Sequence, residues 1–156
     1  MSVVAPPAVS RSTFRACPPG LHHAVCVDVI DLGIVPSRFG DKHKCRLVWQ
    51  VAAMNPDTAQ RFTVRKLYTL SLHPKAALRK DLEGWRGQKF ADAEIATGFN
   101  LERLLGANCQ IQVVQDLADD GAVWANVTAI VPAPKGVPKL FPVGYTRAQD
   151  RDRRSA

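Results

Sequence analysis

From Leu21 onwards the chain carries runs in which apolar and polar residues alternate, the mark of strands with one buried side. The first run, HHAVCVDVIDLGIV, sets Val25, Val27 and Val29 on one face, and Pro36-Ser37-Arg38-Phe39-Gly40 follows it as a turn. The second, KCRLVWQVAAM, puts Cys45, Leu47, Trp49 and Val51 on the inward side and Lys44, Arg46, Val48 and Gln50 on the outward side. Asn55-Pro56-Asp57 makes the next turn. The third, RFTVRKLYTL, sets Phe62, Val64, Lys66 and Tyr68 against an outward set of Arg61, Thr63 and Arg65; Tyr68 would join them outside only if a bulge reversed the phase.

The period then changes. In HPKAALRKDLEGWRG, Leu78, Leu82 and Trp85 recur at helical spacing, with Pro74 expected in the first turn and Gly84 and Gly87 as candidate stops. NLERLLG predicts a short second helix, Asn100 capping its start and Gly106 its end. Two more strands, CQIQVVQ and VWANVTAIV, are joined by the hairpin signal Asp119-Asp120-Gly121. This order predicts a mainly β fold over residues 21–132: a five-stranded OB-type Greek-key barrel with a helical segment between strands three and four. An open α+β sheet is its competitor. Residues 1–20, rich in Pro, Ser and Ala, read as a flexible arm, and residues 133–156 as an extended basic tail rich in Pro, Gly and Arg.

Composition narrows the picture in three ways. No apolar run reaches the roughly eighteen residues of a membrane span, and the first residues lack the pattern of a secretion signal, so a soluble cytoplasmic protein with no membrane partner is expected. The four cysteines fall mostly inside apolar runs, where a thiol acts as a small hydrophobe, and no disulfide is expected. Cys17, His22, His23 and Cys26 lie close in sequence, but Pro18-Pro19-Gly20 breaks the segment and adjacent histidines point to opposite faces, so no metal site is assigned.

Charge adds the strongest functional pointer. The net charge is +7 and the isoelectric point about 9.6, a balance suited to a polyanion. Basic residues outnumber acidic ones eight to two between Arg61 and Lys89, whereas six acidic residues face only Arg103 between Asp92 and Asp120. One basic and one acidic face are therefore expected. An OB barrel binds unpaired strands with a cationic groove across strands two and three and with rings that stack on bases. The residue types at those places nominate Arg38, Phe39, Lys42, Lys44, Arg46, Arg61, Arg65 and Tyr68. Phe39 is the leading stacking candidate, against the alternative of a loop anchor; Trp49 and Trp85 read as core. Trp124 heads the last strand beside acidic Asp119 and Asp120, which places the phosphates on the side of the first loop. No phosphate-binding loop, nucleophile elbow or HExxH pair is present, so no catalytic residue and no cofactor is assigned.

The segments YTLSLHPKAALRKDLEGWRGQKF, GFNLERLLGANCQIQVV and WANVTAIVPAPKG together resemble the OB-fold single-stranded DNA-binding, replication-associated proteins of tailed phages and prophages, over about Leu21 to Gly136. The resemblance implies a protein that coats single-stranded DNA during phage replication or recombination, in the bacterial cytoplasm. Bacterial single-strand binders typically end in an acidic tip that recruits partners, whereas this chain ends DRDRRSA. A sequence-tolerant binder of single-stranded DNA, with RNA as a further possible strand, is the favoured expectation. By analogy with OB proteins of this size it works as a homo-oligomer, although no heptad or apolar stripe marks an interface. The alternative is an OB-fold interaction module that binds a replication, recombination or host protein through its acidic half and the LFPVGY segment without binding DNA; a nuclease is a distant third.

Overall fold

A computed structural model describes residue 3 and residues 15–155 of the chain. Five strands form one antiparallel sheet: β1 (Gly20–Val35), β2 (Lys42–Asn55), β3 (Gln60–Thr69), β4 (Asn108–Leu117) and β5 (Val123–Pro132). Their order is β3-β2-β1-β4-β5. Between β3 and β4 lie helix α1 (Ala77–Arg86), the short α2 (Asp92–Thr97) and a 3-10 turn (Leu101–Leu104); α3 (Ala148–Ser155) follows the sheet. The architecture is thus mainly β, but the expected closed barrel is not made. The two edge strands, β3 and β5, curl towards each other under α1 without a hydrogen-bonded ladder between them. The sheet therefore stays open along one seam.

Alternation explains the inward side. Cys45, Leu47, Trp49 and Val51 of β2, Phe62 and Val64 of β3 and Ile111 and Val113 of β4 are all buried in one core. Helix α1 lies over that core with Leu78, Leu82 and Trp85, the stripe its sequence predicts. Trp85 stacks at a tilt on Trp49, centroids 6.1 Å apart, and its indole Nε1 donates to the Asn108 carbonyl at 2.9 Å. Each such buried large side chain contributes roughly 1.5–3 kcal/mol relative to exposure.

Two helix signals are corrected. Pro74 lies in a turn ahead of α1, where the Ala76 N–H bonds the His73 carbonyl, rather than in the first helical turn. Gly84 is inside the helix, not a stop. A Cβ there would stand 2.4 Å from the Ile130 carbonyl oxygen, so the absent side chain lets α1 press onto β5. Gly87 does end the helix, in the left-handed conformation with φ 74°.

The expected shared face of Val25, Val27 and Val29 is broken. Cys26 pairs with Trp49 and Asp28 with Val48, which leaves Val27 as an extra residue in a β-bulge. Val25 and Val27 consequently lie on the outward side, Val29 packs towards the inner core, and Asp28 is turned outward beside Val27. The outward valines are still buried, because the C-terminal segment crosses them. Leu140 and Tyr145 pack on Val25, Val27 and Val48.

Of the extended tail expected over residues 133–156, residues 133–147 carry no regular helix or strand but are held down, and Ala148–Ser155 form α3 instead of extended chain. Asn108, Val25, Gln50 and Thr63 occupy one row across four strands. Asn108 donates from Nδ2 to the Leu140 carbonyl at 3.0 Å and accepts the Leu140 N–H at 2.8 Å. Gln50 does the same for Val143, at 2.7 and 2.9 Å. Two side-chain amides thus imitate strand pairing and turn residues 140–147 into a strap. The flexible arm expected over residues 1–20 falls outside the described residues at 1–2 and 4–14. Its described end is packed, with Cys17 buried and its carbonyl accepting from Gln115 Nε2 at 3.0 Å.

Candidate nucleic-acid interface

The open seam forms a groove of about 670 Å³ between β3 and β5. Arg46, Arg61, Thr63 and Arg65 line it from the β2–β3 side, Val123, Trp124 and Asn126 from β5, and Arg15 stands with them. Arg46 and Arg65 have no acidic partner among the described residues, so their charge is available to an incoming anion. Arg15 is instead tied to Asp57, Nε to Oδ2 at 3.0 Å, in the β2–β3 turn. That pair holds each group more firmly in its charged form.

The eight nominated residues separate into three sets. Arg46, Arg61 and Arg65 come together in the groove. Arg38, Phe39 and Lys42 sit at the exposed β1–β2 hairpin tip, and Lys44 next to it bonds Thr69 Oγ1 at 2.8 Å. There the Ser37 and Gly40 backbones bond each other at 3.1 Å and leave the Phe39 ring 82% exposed, which rules out the loop-anchor alternative. Tyr68 is corrected. It is 2% exposed, packed in the inner core, and its hydroxyl donates to Asp81 Oδ2 at 2.6 Å. The register shift between β2 and β3 lies at Gln50/Met54, opposite Thr63 and Arg61, and pairing is regular from Thr63 to Thr69, so Tyr68 keeps the inward side that plain alternation gives it. The outward side of β2 is also smaller than expected. Val48 and Gln50 do face outward but lie beneath the strap.

Expected charge segregation along the chain does not survive folding intact. Lys66 pairs with Asp81 at 2.8 Å, Arg79 with Glu83 at 3.4 Å and Arg86 with Glu94 at 2.9 Å. These cations belong to the fold. Of the cations left in the basic segment, Lys75, Lys80 and Lys89 are exposed on and around α1, and Arg61 and Arg65 lie on the outward side of β3, where the groove opens.

Two aromatic residues went unassigned in the sequence. Trp124 is 58% exposed in the groove, opposite the arginines. Proximity to Asp119 and Asp120 argued against it, yet the start of β5, from Val123 to Asn126, lines the seam and brings Trp124 with it. Phe141 is 65% exposed, on the strap, and its carbonyl accepts from Arg61 Nη1 at 2.7 Å. Only the long-range docking of the strap reveals it.

The strap is anchored on the buried Asp28, which is 1% exposed. Its carboxylate accepts from Tyr145 OH at 2.7 Å, Arg147 Nε at 3.1 Å and the Ala148 N–H at 2.9 Å. Burial alone would raise its pKa, but the hydrogen bonds from Ala148, Tyr145 and Arg147 outweigh it and hold the carboxyl below its ordinary range. Tyr145 is pushed up to about 12, first by burial and then by its bond to that carboxylate.

The four cysteines are free and buried. Among the described residues no group of three or more His, Cys, Asp or Glu is placed to hold a metal ion, and no helix is long and apolar enough to cross a membrane. No protein-family model and no curated protein matches the chain.

Proposed function

We propose that the chain is an OB-type module, opened between β3 and β5, that binds single-stranded DNA with little regard to sequence and serves DNA replication or recombination of phage type. One observation carries the reading: Arg46, Arg61 and Arg65 share a groove with the exposed Trp124. Guanidinium groups along one wall suit phosphates, and an indole on the other offers a face to bases that are free to unstack. A duplex keeps its bases paired and turned away from such a ring. The strand order and the helix between β3 and β4 support the OB reading.

The protein-docking alternative needs LFPVGY as its contact. The backbone of that segment is engaged by Asn108 and Gln50, so the side chains of Phe141, Pro142 and Val143 are what it leaves exposed for a partner.

Binding of single-stranded DNA, duplex DNA and single-stranded RNA, titrated in parallel against salt, tests the proposal. Single-stranded DNA is expected to bind most tightly and to quench tryptophan fluorescence. For R46E/R65E the plot of log affinity against log salt should become shallower by about 1.4, since each phosphate contact on a single strand accounts for about 0.7. Equal affinity and slope for wild type and the double variant would remove the groove from consideration.

A further inference from the structure

We infer that Phe141 is a base-stacking platform supplied by the C-terminal strap, so that the strap forms part of the nucleic-acid surface; this rests on the reading of the groove given above. The backbone around Phe141 is fixed at three successive points. Asn108 holds Leu140 by two hydrogen bonds, Arg61 holds the Phe141 carbonyl, and Gln50 holds Val143 by two more. Pro142, between the second and third points, restricts the chain further. The ring is thereby presented to water rather than left to find cover, and an apolar ring pinned in the open is a surface awaiting a partner.

Arg61 identifies the partner. The same guanidinium lines the groove and grips the Phe141 carbonyl, which puts the ring at the rim of the arginine row and not on a separate flank. Lys139 Nζ lies 5.8 Å from the ring centroid, so a second cation stands beside the platform. A phosphate between Arg61 and Arg65 would leave its base within reach of the strap on one side, while Trp124 receives a neighbouring base across the groove. A π-face with a lysine beside it and an arginine on its own backbone fits a nucleobase of a single strand better than a second apolar surface.

The full chain is tested with oligothymidine as probe. F141A should weaken binding about five- to 150-fold, the range for losing one stacked base, while F141W restores it and the melting temperature stays unchanged. Ultraviolet cross-linking of wild type to oligothymidine should mark the tryptic peptide Leu140–Arg147 at Phe141. Gln50 is a positioning residue: Q50A should weaken binding and lower the cross-link yield at Phe141 without abolishing the contribution of R46E/R65E. If wild type binds oligothymidine and R46E/R65E weakens it, but F141A binds like wild type and no cross-link falls on the strap, the inference fails and the groove reading stands. If wild type does not bind at all, both fail. A change of oligomeric state in F141A with unaltered binding would assign the ring to a second copy of the chain and overturn the proposal.

Discussion

Arg65 and Lys66 are neighbours on β3, carry the same charge, and have opposite fates. Lys66 turns inward, where its ammonium lies 2.8 Å from Asp81 and 5.2 Å from the Tyr68 ring centroid. Arg65 turns outward into the groove with no acidic partner among the described residues. One step of strand alternation separates a cation that ties a helix to the sheet from a cation left for a ligand. Composition could not distinguish them, since both count equally towards a basic segment. Their partners do.

The comparison is open to breakage at its inward end first. Asp81 is buried and serves both Lys66 and Tyr68, so D81A strands a largely buried ammonium and a buried hydroxyl. A loss of about 3 kcal/mol is expected, seen as a fall in melting temperature of roughly 10 °C. The fraction that remains folded should bind DNA as wild type does.

A middle-sized effect tests the outward side where it is covered. The carboxyl of Asp28 is depressed in the folded state, so its contribution is fully present above the ordinary carboxylate pKa of about 3.9 and disappears as pH falls through the folded value. Hydrogen exchange at Leu140 and Val143 should accelerate in that acid window. D28N should show faster exchange already at neutral pH, at a cost of about 2 kcal/mol in strap docking, and should lose the acid step. Exchange that is indifferent to both would mean that the pairing with Asn108 and Gln50 and the apolar contacts hold the strap without Asp28.

The smallest effect is the most telling for the contrast. R65A removes an outward cation that supports nothing in the fold, and denaturant unfolding should change by no more than about 0.5 kcal/mol. A larger loss would place Arg65 with Lys66, among the residues that build the molecule.

Much of this arrangement was legible in the sequence. Alternation located all five strands, the Leu78, Leu82 and Trp85 stripe located α1, and Asn100 caps the turn at Leu101 as expected, its Oδ1 accepting the Glu102 N–H at 3.0 Å. The bulge at Val27 was not legible, because an extra residue is a property of two strands in register and leaves no mark on one. Barrel closure was overread: element order fixes which strands can be neighbours, but whether β3 and β5 bond depends on how far the sheet curls over α1. Helix α2 has six residues and buries none of them, so it carries no apolar stripe to detect. In the site, the outward arginines followed from alternation. Tyr68 did not belong with them, and alternation itself said so. Trp124 and Phe141 depend on which distant segments meet across the seam, and no local pattern encodes that.

The strap also orders events in time. Tyr145 reaches back 117 positions to Asp28, and Val143 reaches 93 to Gln50. A nascent chain leaving the ribosome exposes Val25, Val27 and Val48 long before the residues that shield them have been synthesised. Until translation has passed Tyr145, the sheet carries a bare greasy stripe of the kind chaperones recognise. Its burial therefore waits on the strap, and truncations near Leu140 should be met by the cell as unfinished protein.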